Sequence, residues 1–446
     1  MILANLTGYC IFALKWEHKM PVIDIKNYRS RIIDAKIESL LGAFGAVCIE
    51  GPKWCGKTWT AIRHSKSQIF LGDPAGGFQN RQLAQINPEL VLTGEYPHLV
   101  DEWQEAPSVW DAVRDKVDSI AQKGLFILTG SATPNHKGVL HSGTGRIARV
   151  SMSPMSLFES GDSNGKVSLM DLFNGTQQDT LTGNVDLMHL INLTIRGGWP
   201  AAIGVPDNVA FELPKSYIDA IIQDDVWRID GVKRDKHKMN LLLRSLARNE
   251  STTATNRKLK DDIKEIDNQD VDIDTIAEYL NVFERLFILD NQLPFSPNIR
   301  SSVRVKQSEK RHFADPSLAC ALLGASSSML MNDLQTYGLL FESLCERDLK
   351  IYAQALGGQL FHYQDYNNYE IDAVVQLSDG RWGAFEIKLG MNQVDEAAKQ
   401  LLRISESAKN KHGTAPAVLG VICGMSNASY KRPDGVYVLP ITALKP

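Results

Sequence analysis

The stretch Gly51-Pro-Lys-Trp-Cys-Gly-Lys-Thr58 follows the pattern G-x-x-x-x-G-K-[ST], which ties the backbone around it to one local geometry. The pattern needs a strand before it, a turn where backbone N–H groups converge, and a helix that opens into the turn. Both flanks comply. Ala46–Glu50 is a short apolar run that reads as a buried strand, and a helical pattern follows the loop. Converging N–H groups and the positive end of a helix favour a phosphate. Lys57 is then placed to reach β- and γ-phosphates, and the Thr58 hydroxyl to coordinate Mg²⁺. Gly51, Pro52, Lys53, Trp54, Cys55, Gly56, Lys57, Thr58 and Trp59 are expected to line the nucleotide, with ATP and Mg²⁺ as cofactors.

Two further apolar runs extend this reading. Leu99-Val-Asp-Glu102 ends a buried strand in two carboxylates. Asp101 can hold Mg²⁺ through its water shell, and Glu102 can orient or deprotonate the attacking water. Paired acids at a strand end are common on surfaces, so they gain weight only after the phosphate loop. Leu125–Thr129 ends in Thr129-Gly-Ser131. Thr129 or Ser131 can sense a γ-phosphate or position water, or can simply cap a turn. Arg146 and Arg149 sit on the glycine-rich stretch Gly143–Arg149. Either is a candidate to meet a γ-phosphate, including one in a neighbouring subunit of a homo-oligomer. The alternative is a surface arginine.

Composition narrows the classes. The 446 residues are 43% apolar and 22% charged, which excludes a disordered, collagen-like or coiled-coil chain. The net charge of −4 carries no overall basic character, so a nucleic-acid contact needs a local patch. Six scattered cysteines without a C-x-x-C pair suit a reduced, cytoplasmic protein. The apolar run Ile2–Leu14 is too short to span a membrane and lacks a preceding cation. Met20 is expected to be the natural start, with Met1 as the alternative. Three parts are expected: an α/β parallel-sheet unit over residues 20–160, a helical winged-helix part over 166–330, and an α/β part over 331–446.

A second constellation lies in the third part. Alternation puts Glu386 and Lys388 on one strand face, Asp372 lies in the preceding strand, and Glu342 in the helix before it. Glu370 shares the face of Asp372 and is a rival ligand. Carboxylates in this arrangement hold one or two Mg²⁺ while a lysine steadies water or a scissile phosphate. The order Glu, Asp, Glu-x-Lys resembles the PD-(D/E)xK nuclease site, active or remnant. The Gln-x-x-x-Tyr companion of one nuclease subgroup is missing, since Ile404 stands four residues after Gln400. Between the two constellations, Arg300 to His312 forms a basic ribbon, a candidate DNA contact through Arg304, Lys306 and Arg311. Residues 261–278 hold eight acids and one lysine, which disfavours a helix in a DNA groove.

The phosphate loop, Leu99-Val-Asp-Glu-Trp-Gln and Ile127-Leu-Thr-Gly-Ser together resemble the AAA-type P-loop ATPases of bacteria and archaea. The likeness continues in Arg196-Gly-Gly-Trp-Pro, Leu243-Arg-Ser-Leu-Ala-Arg, His312-Phe-Ala-Asp-Pro-Ser-Leu and Glu370-Ile-Asp. It implies a P-loop NTPase domain, a winged-helix segment and a restriction-endonuclease-like terminal domain. The function expected is Mg²⁺-dependent ATP binding and hydrolysis, with the nucleotide state switching how the domains pack. An ATP-gated nuclease on DNA or RNA and a non-catalytic adaptor binding DNA or protein are the alternatives.

Overall fold

The structure is a computed structural model and describes residues 27–133, 141–267, 271–298, 300–302, 307–364, 369–410 and 414–446. Ile2–Leu14 and Met20 lie outside them. The first unit is built on β1 (Ala46–Glu50), β2 (Ser67–Phe70), β3 (His98–Asp101), β4 (Phe126–Gly130) and β5 (Ile147–Ser151). They pair in parallel in the order β2-β3-β4-β1-β5. Parallel strands need crossovers, which helices supply, so both faces of the sheet are covered. One face buries Cys48, Val100 and Leu128 against Trp103 and Trp110. The other buries Val47, Ile49, Leu99 and Ile127 against Ile37 and Ala61. Helix α1 (Asp34–Ala43) brings Ile37, α2 (Lys57–His64) brings Ala61, and Trp110 comes from Ser108–Ile120. The interposed β4 sets the end of its strand between the phosphate loop and the acid pair.

Strand β5 is not foreseen in the sequence. It is an edge strand with exposed Arg149 and Ser151, so its apolar run is interrupted, unlike that of β1. Ala46 pairs with Ile147, so β5 begins at the end of the sheet away from the phosphate loop.

The middle part is helical, as expected. Glu212–Ala220 continues through one π-turn, Ile221–Asp225, into Val226–Arg228. Helices Lys236–Arg248, Asn256–Asp267 and Ile273–Arg285 follow. A ribbon then returns on itself, with Leu289 opposite Phe313 and Gln292 opposite Lys310.

The third part starts with the helix Leu334–Ala355. Its sheet joins β8 (Gln359–Gln364), β9 (Glu370–Gln376), β10 (Trp382–Lys388), β11 (Val418–Cys423), β12 (Ala428–Lys431) and β13 (Tyr437–Pro440). One short upstream strand extends this sheet, and another forms a separate two-stranded sheet with the C-terminal strand. Thr180–Leu181, β7, adds to β12, and Val167–Ser168, β6, pairs with β14 (Leu444–Lys445). Val167–Ser168 and Thr180–Leu181 therefore pair with the third part, although the sequence groups them with the middle. One hydrophobic core runs from Leu157 through the middle helices to Leu444. Among the described residues no helix is long and apolar enough to cross a membrane.

Candidate functional site

The phosphate loop leaves β1 at Gly51, whose φ of 155° and close approach to Met152 admit no side chain. A Cβ there would sit 2.2 Å from the Met152 carbonyl oxygen. Lys57 is 4% exposed, and its ammonium donates to the carbonyls of Gly51 at 2.9 Å and Pro52 at 2.7 Å. Thr58 lies in the first turn of α2, and its hydroxyl donates to Asp101 Oδ1 at 2.9 Å. The Thr129 hydroxyl donates to the same oxygen at 2.7 Å and accepts the Glu102 N–H at 3.0 Å. Burial pushes the Asp101 carboxyl up to about 6, helped by neighbouring Glu102, while the Thr129 and Thr58 hydrogen bonds and Lys57 act against it.

Glu102 is held in the left-handed region at φ 57° and ψ 51°, which costs a non-glycine residue about 1–2 kcal/mol. Its carboxylate accepts from the Ser131 hydroxyl at 2.7 Å and from the Gln104 amide, which also donates to Ser131 Oγ at 3.2 Å. Thr129 and Ser131 thus serve the acid pair. Carboxylate, hydroxyl and added phosphate oxygens suit Mg²⁺, which takes one or two carboxylates and completes its shell with phosphate and water. Thr58 and Asp101 are the residues that would hold it.

The loop faces a cleft of about 1450 Å³ between the first unit and the middle helices. Lys53, Trp54, Gly56, Lys57, Thr58 and Trp59 line one side, and Pro200, Asp225, Trp227 and Arg228 the other. Lys53 Nζ reaches Asp225 Oδ1 at 2.5 Å, and the Trp54 ring meets Tyr217 edge-on at 5.5 Å. Cys55 differs from its neighbours: its thiol is buried and donates to the Met152 carbonyl at 3.5 Å, so only its backbone can serve a phosphate.

Arg146 is not at this site. It stands at the far end of the sheet, paired with Asp118 at 2.8 Å, because β5 starts there. Arg149 pairs with Glu50 at 3.0 Å and lies over the Trp110 ring at 4.5 Å, which keeps it beside the sheet.

The second constellation does converge, but around lysines. Lys388 Nζ contacts Asp372 Oδ2 at 3.2 Å and Glu386 Oε2 at 2.8 Å. Asp372 Oδ2 also accepts the Ile387 N–H at 2.7 Å. Burial would raise Asp372, but Lys388 and Lys310 hold it below the usual carboxylate range. Burial pushes Glu386 up to about 8. Lys310 enters from the ribbon and bonds Glu342, Glu346 Oε1 at 3.0 Å and the Asp372 carbonyl at 3.4 Å. Among the described residues no three His, Cys, Asp or Glu side chains are spaced to hold a metal ion. The expected metal set Glu342, Asp372 and Glu386 is therefore not assembled as ligands; ammonium groups lie between its members. Glu370 is outside the cluster and accepts from Gln364 at 2.6 Å. Gln400 reaches Glu386 Oε1 at 3.3 Å even without its tyrosine companion.

The basic ribbon also turns inward. His312 is buried between Glu346 at 2.8 Å and Glu250 at 3.3 Å. Arg311 donates to the Ala254 carbonyl and to Asn256. Lys310, Arg311 and His312 are thus spent on internal partners, which removes them from the expected DNA contact. Arg304 and Lys306 lie outside the described residues.

Among known families, one model falls on the first unit. Residues 43–160 match the model of an AAA domain. The first unit is an AAA-type, P-loop ATPase-like domain. Residues 188–329 and 337–444 match two models described as domains of unknown function, DUF8612 and DUF4143. Two curated relatives are the uncharacterized proteins Rv2008c of Mycobacterium tuberculosis and Mb2031c of Mycobacterium bovis. Each is 24% identical over 359 residues, 79% of this chain and 72% of its own length. Among solved structures, the Walker-type ATPase PABY2304 of Pyrococcus abyssi matches over 67% of this chain and 96% of its own, at 12% identity and a TM-score of 0.38. The replication initiator DnaA, solved with AMPPCP and single-stranded DNA, matches over 59% of this chain and 92% of its own, at 12% identity and a TM-score of 0.27.

Four participants escape the sequence reading. Gln104 carries a weak signal, an amide two residues after the catalytic candidate at a strand-end turn. Arg228 and Glu346 carry none, and Lys310 reads only as part of a basic patch, because only the tertiary fold brings them to their sites.

Proposed function

We propose that this protein is a Mg²⁺-dependent ATPase whose nucleotide state sets how the AAA-type domain packs on the helical middle. One observation carries the reading. Thr58, Asp101, Thr129, Glu102 and Ser131 form a single hydrogen-bonded chain, and it borders the cleft that the middle helices close. In this reading Lys57 exchanges its loop carbonyls for the β/γ-phosphates. Thr129 orients the acid pair. Glu102, released by Ser131 and Gln104 or held by them at the right angle, takes the proton of the attacking water. Bound Mg²⁺ would supply charge neutralisation for the phosphates.

The switching half rests on what the loop touches. Lys53 and Trp54, at variable positions of the motif, contact Asp225 and Tyr217 of the middle helices. Tyr217 packs on Trp199 at 4.8 Å, and Trp199 Nε1 donates to Ser317 Oγ at 2.9 Å. Ser317 in turn bonds Asp315, which pairs with Arg347 of the third part at 2.9 Å. Contiguous packing and charge pairs of this kind can carry coupling between sites. Phosphate release from Mg·ATP tests the enzyme half, with Lys57→Ala as the dead control. Hydrogen exchange at residues 217–228, with and without an ATP analogue, tests the switch. Unchanged exchange there in the wild type would remove it, whatever the turnover.

The convergence of Glu342, Asp372, Glu386 and Lys388 around ammonium groups supports a nuclease-like third domain with a remnant site as a second reading. The helices Lys236–Arg248, Asn256–Asp267 and Ile273–Arg285 with their ribbon have the order of a winged helix. Its inward basic residues support a packing role over a DNA contact. Cleavage of a mixed nucleic-acid pool with Mn²⁺ tests the nuclease. Nucleotide binding without phosphate release would favour the adaptor.

A further inference from the structure

The C-terminal cluster has the chemistry of a divalent-cation site and the contents of something else. Its oxygen donors come from three places: two carboxylates one helical turn apart, Glu342 and Glu346, and the backbone carbonyl of Asp372 on β9. Hard oxygen donors converging from separate elements are what Mg²⁺ or Mn²⁺ requires. All three converge on one atom, Lys310 Nζ. An ammonium has three protons to donate, and these acceptors match that number.

Lys310 does not drift into this place. Its backbone exchanges both hydrogen bonds with Gln292 at 2.9 Å. Gln292 Nε2 donates to the Phe361 carbonyl on β8 at 3.0 Å, and Phe295 N–H donates to the His362 carbonyl at 2.7 Å. The ribbon is therefore welded to the edge of the C-terminal sheet, with Lys310 buried beneath it. Long charged side chains are almost never fully buried unless paired. On the far side, Lys388 fills the space between Asp372 and Glu386. The cations that the carboxylates need are thus supplied by the chain: Lys310, Lys388 and, on the outer oxygen of Glu346, His312 at 2.8 Å.

We propose that Lys310 is a built-in cation that takes the position of a divalent metal, so that the wild-type cluster binds no Mg²⁺ or Mn²⁺ and instead fastens the ribbon to the C-terminal domain. The metal implied by the nuclease resemblance does not fit here while Lys310 is in place. The cluster is a latent metal site that the removal of one ammonium would open. This stands apart from the ATPase reading, since no residue of the nucleotide cleft takes part.

The experiment uses the full chain, without nucleotide, in an Asp101→Asn background that removes the other divalent-cation position. Thermal unfolding is followed with Mn²⁺ and with a chelator. The parent is expected to unfold at the same temperature in both. Lys310→Ala, which leaves carboxylates facing a gap, is expected to unfold earlier in chelator and to recover several degrees with Mn²⁺. Adding Glu342→Gln to it should abolish that recovery. Lys310→Met, which fills the gap without charge, should be insensitive to Mn²⁺. Should Lys310→Ala not fold, the parent still decides, by electron paramagnetic resonance of free Mn²⁺. Mn²⁺ taken up by the parent and lost on Asp372→Asn would overturn the proposal, as would a folded Lys310→Ala that ignores Mn²⁺.

Discussion

Asp101 is expected to weaken the nucleotide-free protein, and the amount can be worked out. Burial, then neighbouring Glu102, raises its carboxyl from the ordinary 3.8 to about 6. The folded protein therefore holds this proton more tightly than the unfolded chain. Below about pH 3 both states are protonated and the group contributes nothing. As pH rises towards 6 the unfolded chain ionises first, and folding stability falls. Above 6 the loss levels at about 3 kcal/mol, from 1.36 kcal/mol per unit. Asp101→Asn keeps an oxygen to accept from Thr58 and Thr129 and never ionises. At pH 7.5 it should be about 3 kcal/mol more stable than the wild type, or about 6–12 °C in melting temperature, taking 2–4 °C per kcal/mol. At about pH 3 the two should coincide. Scanning calorimetry at both pH values, without nucleotide, measures the difference. A gain equal at both pH values, or an Asn variant less stable at 7.5, would refute the electrostatic argument. The same variant should lose Mg²⁺-dependent hydrolysis, so stability and activity move in opposite directions.

Glu102→Gln should leave ATP affinity within a few fold and slow phosphate release by about 10²–10⁴-fold, because the amide cannot accept a proton; a filter-binding and phosphate assay pair checks both. Arg146→Ala should leave turnover within about twofold of wild type, and a large loss at high protein concentration would instead place this residue in a neighbouring subunit's site. His312 points to a pH effect of opposite sign. Glu346 and Glu250 raise it to about 10 against burial, so its stabilisation is complete below pH 6.5 and is lost as pH rises towards 10. Melting temperatures from pH 6 to 10 should fall more steeply in the wild type than in His312→Gln.

What could be read in advance follows the range of the forces involved. The phosphate loop, β1 and β3 are legible because local pattern and turn chemistry fix them: Ala46–Glu50 and His98–Asp101 stand where the apolar runs put them. Thr129 and Ser131 are legible as residues but not in role, since their partner is an acid on the adjacent strand. Lys310-Arg-His312 reads as a basic patch because sequence shows charge but not burial. Its inward turn depends on Glu250, Glu342 and Glu346, which lie 32 to 62 positions away in the chain. The placement of Val167–Ser168 and Thr180–Leu181 was out of reach for the same reason.

That last placement has a consequence for how the protein is made. The Ser163 hydroxyl donates to the Leu444 carbonyl, 281 residues further along, and β6 waits for β14. At 5–20 residues per second, roughly 14–56 s of translation separate the two. The AAA-type domain, with every strand of its sheet between Ala46 and Ser151, can close early on the ribosome. The shared core from Leu157 to Leu444 cannot be complete until β14 emerges. Nascent chains stalled short of that strand are the ones a chaperone would be expected to hold, carrying a finished nucleotide site beside an unfinished partner.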